Sequence, residues 1–213
     1  HAWERVIINL IRRKYKDIRV IAYQFSIITK YQHSMFRSLG KEYDPDLILT
    51  SGEITKKKFL KKYKCPIKTL GSNKHYNPNY RKNLKYNFLI IPEAFLSETQ
   101  FMYDFAIEAA KKNPTFNFYF RCHPMISKIF KKKYNRLNNF FFSNNAYLND
   151  MKNCSFSIYR GSAAIMESIS NGLLPLYLKD DSSFDINPLH SVMPKKLVLR
   201  KATDLRKLEN LKI

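Results

Sequence analysis

The chain is short of glycine, cysteine and acidic residues, and each shortage carries information. Three cysteines, Cys65, Cys122 and Cys154, stand far apart without C-x-x-C spacing. That excludes a disulfide framework or a cysteine zinc site and points to buried thiols in a reducing compartment. Five histidines form neither H-E-x-x-H nor H-x-H, so no metal-ligand pattern is present. The longest apolar runs, at 88–92 and 173–178, fall far short of the roughly 20 residues that cross a bilayer. No signal peptide is visible. The chain starts at His1 and runs straight into AWERVIINLIRR, so part of the protein is expected to precede it.

Seventeen acidic residues against 38 basic ones give a net charge of +21. Such a charge suits phosphorylated substrates or an anionic membrane surface. It does not by itself indicate nucleic acid. The lysine runs at 56–58 and 131–133 lack the K/R-G-F/Y-G/A-F-V-x-F/Y type of signature that nucleic-acid modules add. The accompanying excess of Lys, Asn, Ile, Phe and Tyr is also what an A/T-rich coding bias produces. With 45% hydrophobic residues in 213, the chain has the means to bury a core, as one large domain or two small ones.

Periodicity alternates along the chain. Residues 2–14 carry a helical apolar stripe at Trp3, Val6, Ile7, Leu10 and Ile11, and 18–23 is a β-branched run. A strand at 47–50, a lysine-rich helix at 53–63 and a strand at 67–70 follow as β-α-β. Residues 72–83, SNKHYNPNYRKN, are polar and turn-rich and read as a linker. The rhythm then restarts, with strands at 87–91, 116–121, 140–142, 155–159 and 174–178. Helices are expected at 97–112, 126–134, 146–152 and 162–171, with a last strand–helix pair over 197–208. Alternation of this kind predicts an α/β chain with Rossmann-like parallel sheets covered by helices. The expected division is a partial first domain over 1–72, a linker over 73–84 and a second domain over 85–213.

In such sheets ligands sit beyond the carboxyl ends of the strands. Three loops there carry polar groups: Pro92, Glu93 and Ala94; Arg121, Cys122, His123 and Pro124; and Arg160, Gly161, Ser162 and Ala163. Arg121 and Arg160 are suited to grip phosphate oxygens in bidentate fashion. Gly161 admits a close backbone approach, and Ser162 is placed to cap the helix that follows, whose first N–H groups form an anion seat. His123 offers a hydrogen bond, and Pro124 stiffens the turn that aims it. Glu167 is placed to reach a ribose hydroxyl, and Gly172 closes the helix at its C′ position. Taken singly, these are also an ordinary loop histidine, helix start, helix stop and surface glutamate; one fold rule brings them together. Asp44-Pro45-Asp46 has the D-x-D form of a metal site on a sugar diphosphate, but it precedes its strand and reads as a turn. No metal is expected.

The order strand, RCHP, about 35 residues, strand, YRGSAAIMESISNGLLPLYL resembles the C-terminal nucleotide-binding domain of GT-B-type glycosyltransferases, within which it looks most like bacterial surface-carbohydrate and capsule biosynthesis proteins. YQHSMFR at 31–37 with YDPDLILTSGE at 43–53 resembles the closing part of their N-terminal domain. The resemblance implies that Arg121, His123, Gly161, Ser162 and Glu167 hold the diphosphate and ribose of a nucleotide-sugar donor, with Pro124, Arg160, Ala163 and Glu93 beside them. His33 is carried as a candidate general base or acceptor contact. The resemblance further implies a first domain incomplete at its N-terminus, a nucleotide sugar as co-substrate and no cofactor. The acceptor is then a surface glycan or lipid-linked molecule, and the location is cytoplasmic, at the inner membrane face. A polyol-phosphate transferase, a nucleotide-sugar epimerase and a noncatalytic nucleotide-sugar or polyanion-binding subunit fit the same residues.

Overall fold

A computed structural model of the chain describes residues 2–31, 33–72, 86–130 and 137–210. The expected linker over 73–84 and the lysines at 131–133 lie outside these described residues. The chain forms two compact units, His1–His75 and Tyr76–Ile213.

The first unit contains α1 (Ala2–Lys14), β1 (Ile21–Gln24), β2 (Leu47–Thr50), α2 (Glu53–Leu60) and β3 (Ile67–Thr69). Its three strands pair in parallel in the order β1-β2-β3. Ile28, Ile48, Phe59 and Ile67 make its core cluster. The D-x-D carboxylates are absorbed structurally. Asp44 accepts from Arg5, Ser38 and the Leu39 N–H, while Asp46 takes the Val20 N–H at 2.8 Å and Arg12 at 2.8 Å.

The second unit contains β4 (Asn87–Ile91), α3 (Leu96–Lys112), β5 (Asn117–Phe120), β6 (Phe140–Phe142) and α4 (Tyr147–Asn153). Then come β7 (Phe156–Tyr159), α5 (Ile165–Ser170), β8 (Leu174–Leu178) and β9 (Val198–Leu199). The six strands are ordered β6-β5-β4-β7-β8-β9, and every neighbouring pair is parallel. From β4 the chain winds outward through β5 and β6, then returns to the other side of β4 for β7, β8 and β9. That is the doubly wound order, with its switch point between β4 and β7.

The period-2 alternation of a strand sorts the core into two faces. Phe88 and Ile90 pack with Met102, Ala106, Phe118 and Phe156 on one side. Leu89 and Ile91 pack with Met151, Ile165, Leu173 and Tyr177 on the other. Both faces are therefore dry, which is why β4 and β8 read as unbroken apolar runs. α3 covers the first face because Met102, Ala106 and Ala109 recur at helical spacing and are fully buried. The expected strand–helix pair near the C-terminus is the short β9 followed by a 3-10 run, Ala202–Asn210.

Candidate functional site

Because all six strands of the second unit run in parallel, their carboxyl ends share one edge, and the three predicted loops follow the adjacent strands β5, β4 and β7. The Arg121 N–H donates to the Ile90 carbonyl at 3.0 Å, so the RCHP turn starts level with the end of β4. Ile91 is in register with Tyr159, so Glu93 and Gly161 leave neighbouring strands side by side.

At the switch point these two residues meet directly. A Cβ on Gly161 would stand 1.5 Å from the Glu93 carboxylate oxygen and 3.0 Å from Ile186 Cδ1. Gly161 thus makes room for the Glu93 side chain, a use that sequence reading assigned to a ligand. Burial pushes the Glu93 carboxyl above its ordinary range; Glu98 adds to the rise, and Arg160 opposes it.

Arg160 departs most from expectation. Its side chain is 1% exposed, and its guanidinium is taken by Glu98 at 2.5 Å, the Leu178 carbonyl at 3.1 Å and Ser183 at 2.8 Å, over the face of Phe101. A buried cation needs such partners. Arg160 therefore ties α3 and the loop after β8 to the end of β7 rather than offering a free fork to phosphate.

The helix expected from residue 162 begins later. Ile165 and Met166 donate to the carbonyls of Ser162 and Ala163 with three-residue spacing, so 162–164 is a tight turn. Ala164 occupies the N-cap of α5 without a side-chain cap, and Ser162 is not the cap. Among the described residues the N–H groups of Ser162, Ala163 and Ala164 have no acceptor. α5 ends as expected: Gly172 has φ 82°, a left-handed turn that suits glycine, and Leu173 N–H reaches back to the Ser168 carbonyl. Glu167 is exposed in the first turn of α5.

On the other side of β4, Arg121 donates through Nη1 to Asp150 at 2.8 Å and to the Asn145 carbonyl at 2.6 Å. Asp150 is 2% exposed and also accepts from Ser143 at 2.5 Å. The guanidinium lies 5.3 Å from the Tyr147 ring centroid. The Tyr147 hydroxyl reaches the Ala164 carbonyl at 3.0 Å and Ser168 at 2.7 Å, and burial pushes its pKa up to about 12, so it stays protonated. Tyr147 thereby links the Arg121 turn to the Ser162 turn. His123 Nδ1 accepts the Met125 N–H at 3.3 Å, which leaves the ring proton on Nε2 as a donor. Pro124 follows on the exposed side of the same turn.

Glu98, Asp150 and Tyr147 were missed by sequence reasoning. Their partners lie 62, 29 and 17 residues away, and no local pattern marks such pairs. His33 opens a 3-10 turn, His33–Phe36, in the first unit. A cavity of about 330 Å³ between α1 and β1 also belongs to the first unit. Among the described residues no His, Cys, Asp or Glu cluster could hold a metal ion, and no helix is long and apolar enough to cross a membrane.

The sequence matches no family model and no curated protein. In fold it is similar to solved structures. One is the KpsC beta Kdo 2,4 transferase of Thermosulfurimonas dismutans, with TM-score 0.34 and 11% identity over 50% of this chain and 36% of that one. A second is TarM, with TM-score 0.49 and 11% identity over 92% of this chain and 43% of that one. A third is the glycotransferase of kitacinnamycin, with TM-score 0.47 and 13% identity over 79% of this chain and 47% of that one. The chain thus spans less than half the length of each of these three proteins.

Proposed function

We propose that the protein is a GT-B-type glycosyltransferase that moves a sugar from a nucleotide-activated donor to a surface glycan or lipid-linked acceptor. One observation carries the reading: the loops after β5, β4 and β7 lie together at the switch point of a doubly wound sheet, where nucleotides bind. In this reading the N–H groups of Ser162 and Ala163, His123 Nε2–H and the Arg121 guanidinium receive the donor phosphate. Preorganised donors of this kind stabilise charge that develops on a leaving group. Pro124 holds His123, Gly161 and Arg160 hold the β7 loop against Glu93, and Glu167 reaches the ribose.

His33 is the proposed acceptor-side base. The donor is a co-substrate, and no cofactor or metal takes part. The net charge of +21 draws the enzyme to the cytoplasmic face of an anionic inner membrane. The test is nucleotide binding and its loss. A nucleoside phosphate should raise the melting temperature, because a ligand of the native state alone stabilises it. Ser162→Trp, which fills the crevice, should abolish that shift without altering the far-ultraviolet circular dichroism. A shift that survives Ser162→Trp would place the ligand elsewhere and overturn the site.

A further inference from the structure

The helix α1 turns most of its apolar side away from the unit that carries it. Trp3, Val6, Ile7 and Leu10 lie one above another at i, i+3, i+4 and i+7, and all four are exposed. Arg13 and Lys14 continue the same row through the last turn, and Lys16 and Arg19 follow on the way to β1; these four are exposed too. Arg13, Lys14 and Lys16 form no ion pair among the described residues, and Arg19 acts on Asp46 only through space. Glu4 and Asp17 are the exposed acids of this segment, so its exposed cations outnumber them. The bonds that hold α1 leave from its other side, from Arg5 to Asp44, Asn9 to Glu42 and Arg12 to Asp46.

β1 adds a second apolar row. It is an outer strand of its sheet, and Ile21 and Tyr23, with Phe25 just beyond, alternate to one side and are exposed. Trp3, Ile7, Ile11, Ile21, Tyr23 and Phe25 line the groove of about 330 Å³ between helix and strand. The two rows form one apolar face with a basic end.

From this face we infer that α1 and β1 dock the protein flat on an anionic lipid bilayer, with the apolar rows at the acyl boundary and Arg13, Lys14, Lys16 and Arg19 among the headgroup phosphates. The inference deepens the membrane location proposed above, on which it rests, and needs nothing of the nucleotide site. A helix with an apolar side, a tryptophan and basic residues at its margin lies in the interfacial plane and does not cross it. Long basic side chains keep their charge in the headgroups while their stems stay on the apolar side. Charge selects the occupant. A second copy would set the same four cations, on a chain of net charge +21, against themselves, and facing like charges disfavour such a pair. An anionic bilayer brings opposite charge to the rim and hydrocarbon to the centre. Because polar bonds fix α1 from behind, it docks without leaving its unit.

The experiment uses the one tryptophan, Trp3, as its reporter. The protein is mixed with vesicles of phosphatidylcholine alone or of equal parts phosphatidylcholine and phosphatidylglycerol, and co-sedimentation and Trp3 emission are read together. Binding to the anionic vesicles should be about tenfold or more tighter than to the neutral ones, given four basic residues near the surface. A charge of +21 draws protein to such vesicles by any basic face, so the deciding signal is Trp3. Its emission should move to shorter wavelength, and a nitroxide lipid labelled near the top of the acyl chain should quench it. Ile7→Ser with Leu10→Ser should weaken vesicle binding about tenfold or more and abolish the emission shift, with the far-ultraviolet circular dichroism unchanged. Arg13→Gln with Lys14→Gln should reduce the preference for anionic vesicles and its dependence on salt. No binding, or binding that leaves Trp3 emission and quenching as they were, overturns the inference and leaves the nucleotide test standing. A Trp3 shift that follows protein concentration without lipid, together with a dimer in sedimentation velocity, gives the face to a second copy and overturns it as well. Should the serine pair fail to fold, quenching of wild-type Trp3 decides.

Discussion

The two units of this protein use the same chemical alphabet in opposite directions. In the second unit apolar side chains go inward: Phe88, Leu89, Ile90, Phe118, Phe156 and Ile158 are all fully buried, and cations that enter the interior arrive with a carboxylate. In the first unit α1 is largely reversed. Much of its apolar stripe lies outward, with Trp3 61%, Val6 55% and Leu10 56% exposed, while Ile8 is buried and Ile11 half-buried towards β1. Its polar face is what holds it to the unit: Arg5 bonds Asp44 and Tyr63, Asn9 reaches Glu42, and Arg12 pairs with Asp46. One unit is held by burial and the other leans on charge. A sheet covered on both faces keeps its edge loops in a fixed frame, which is what a preorganised site needs; the candidates for nucleotide binding lie on that unit, and His33 lies on the other.

The contrast breaks most visibly at Phe88. Its ring lies 4.9 Å from that of Phe156, 5.2 Å from Phe118 and 5.5 Å from Phe116, with no exposure at all. Phe88→Ala should cost about 3–5 kcal/mol, the usual loss for a large aromatic in a packed core. Urea unfolding followed by hydrogen exchange at β4, β5 and β7 measures it. A loss below about 1 kcal/mol would show that the second unit is not tightly packed around β4.

How much of this was legible follows from which forces act locally. The strands at 47–50, 87–91, 140–142 and 174–178 and the helix at 2–14 fall where the periodicity puts them, because a strand or helix is written in the spacing of its own residues. The parallel order followed from alternation, and the shared edge of the three loops followed from the order. The α5 start was misread because Gly161 and Ser162 look like a cap, whereas the space beside Gly161 belongs to Glu93, 68 residues earlier in the chain. The fate of Arg160 was equally hidden, since nothing near it names Glu98 or Ser183 as partners. The direction of the α1 stripe was also beyond reach. Periodicity reports that a helix has two faces, not which one the unit binds.

A smaller effect separates the units by pH. The Val20 N–H bond holds the Asp46 carboxyl below its ordinary range, and the Arg12 guanidinium adds to this against the opposing effect of burial. A lowered carboxyl means that the folded unit binds fewer protons than the unfolded one. The stability from Asp46 is therefore fully present above the ordinary aspartate range and is lost as pH falls through and below it. Asp46→Asn should weaken the first unit near neutrality and converge with the wild type in acid. Trp3, the one tryptophan, reports on that unit alone, so its fluorescence against pH and urea gives the measurement. A difference that grows towards acid has the wrong sign and would remove the charge-held description of the unit.

The smallest expected effect is the sharpest test of the reversal. Leu10 belongs to the apolar stripe by sequence, and in a helix packed in the ordinary sense it would be a core residue whose replacement by serine costs several kcal/mol. At 56% exposed it loses little contact in Leu10→Ser, so the change in stability should stay within about 0.5 kcal/mol, most of it helix propensity. The same substitution removes an exposed leucine from a patch that continues through Trp3, Val6 and Ile7, so it should also lower any tendency of the protein to associate. Trp3 fluorescence during urea unfolding and sedimentation velocity separate the two readouts. A cost as large as that of a buried leucine would mean that the stripe is covered in solution, and the opposition between a unit held by burial and one held by charge would then give way to two units of the same kind.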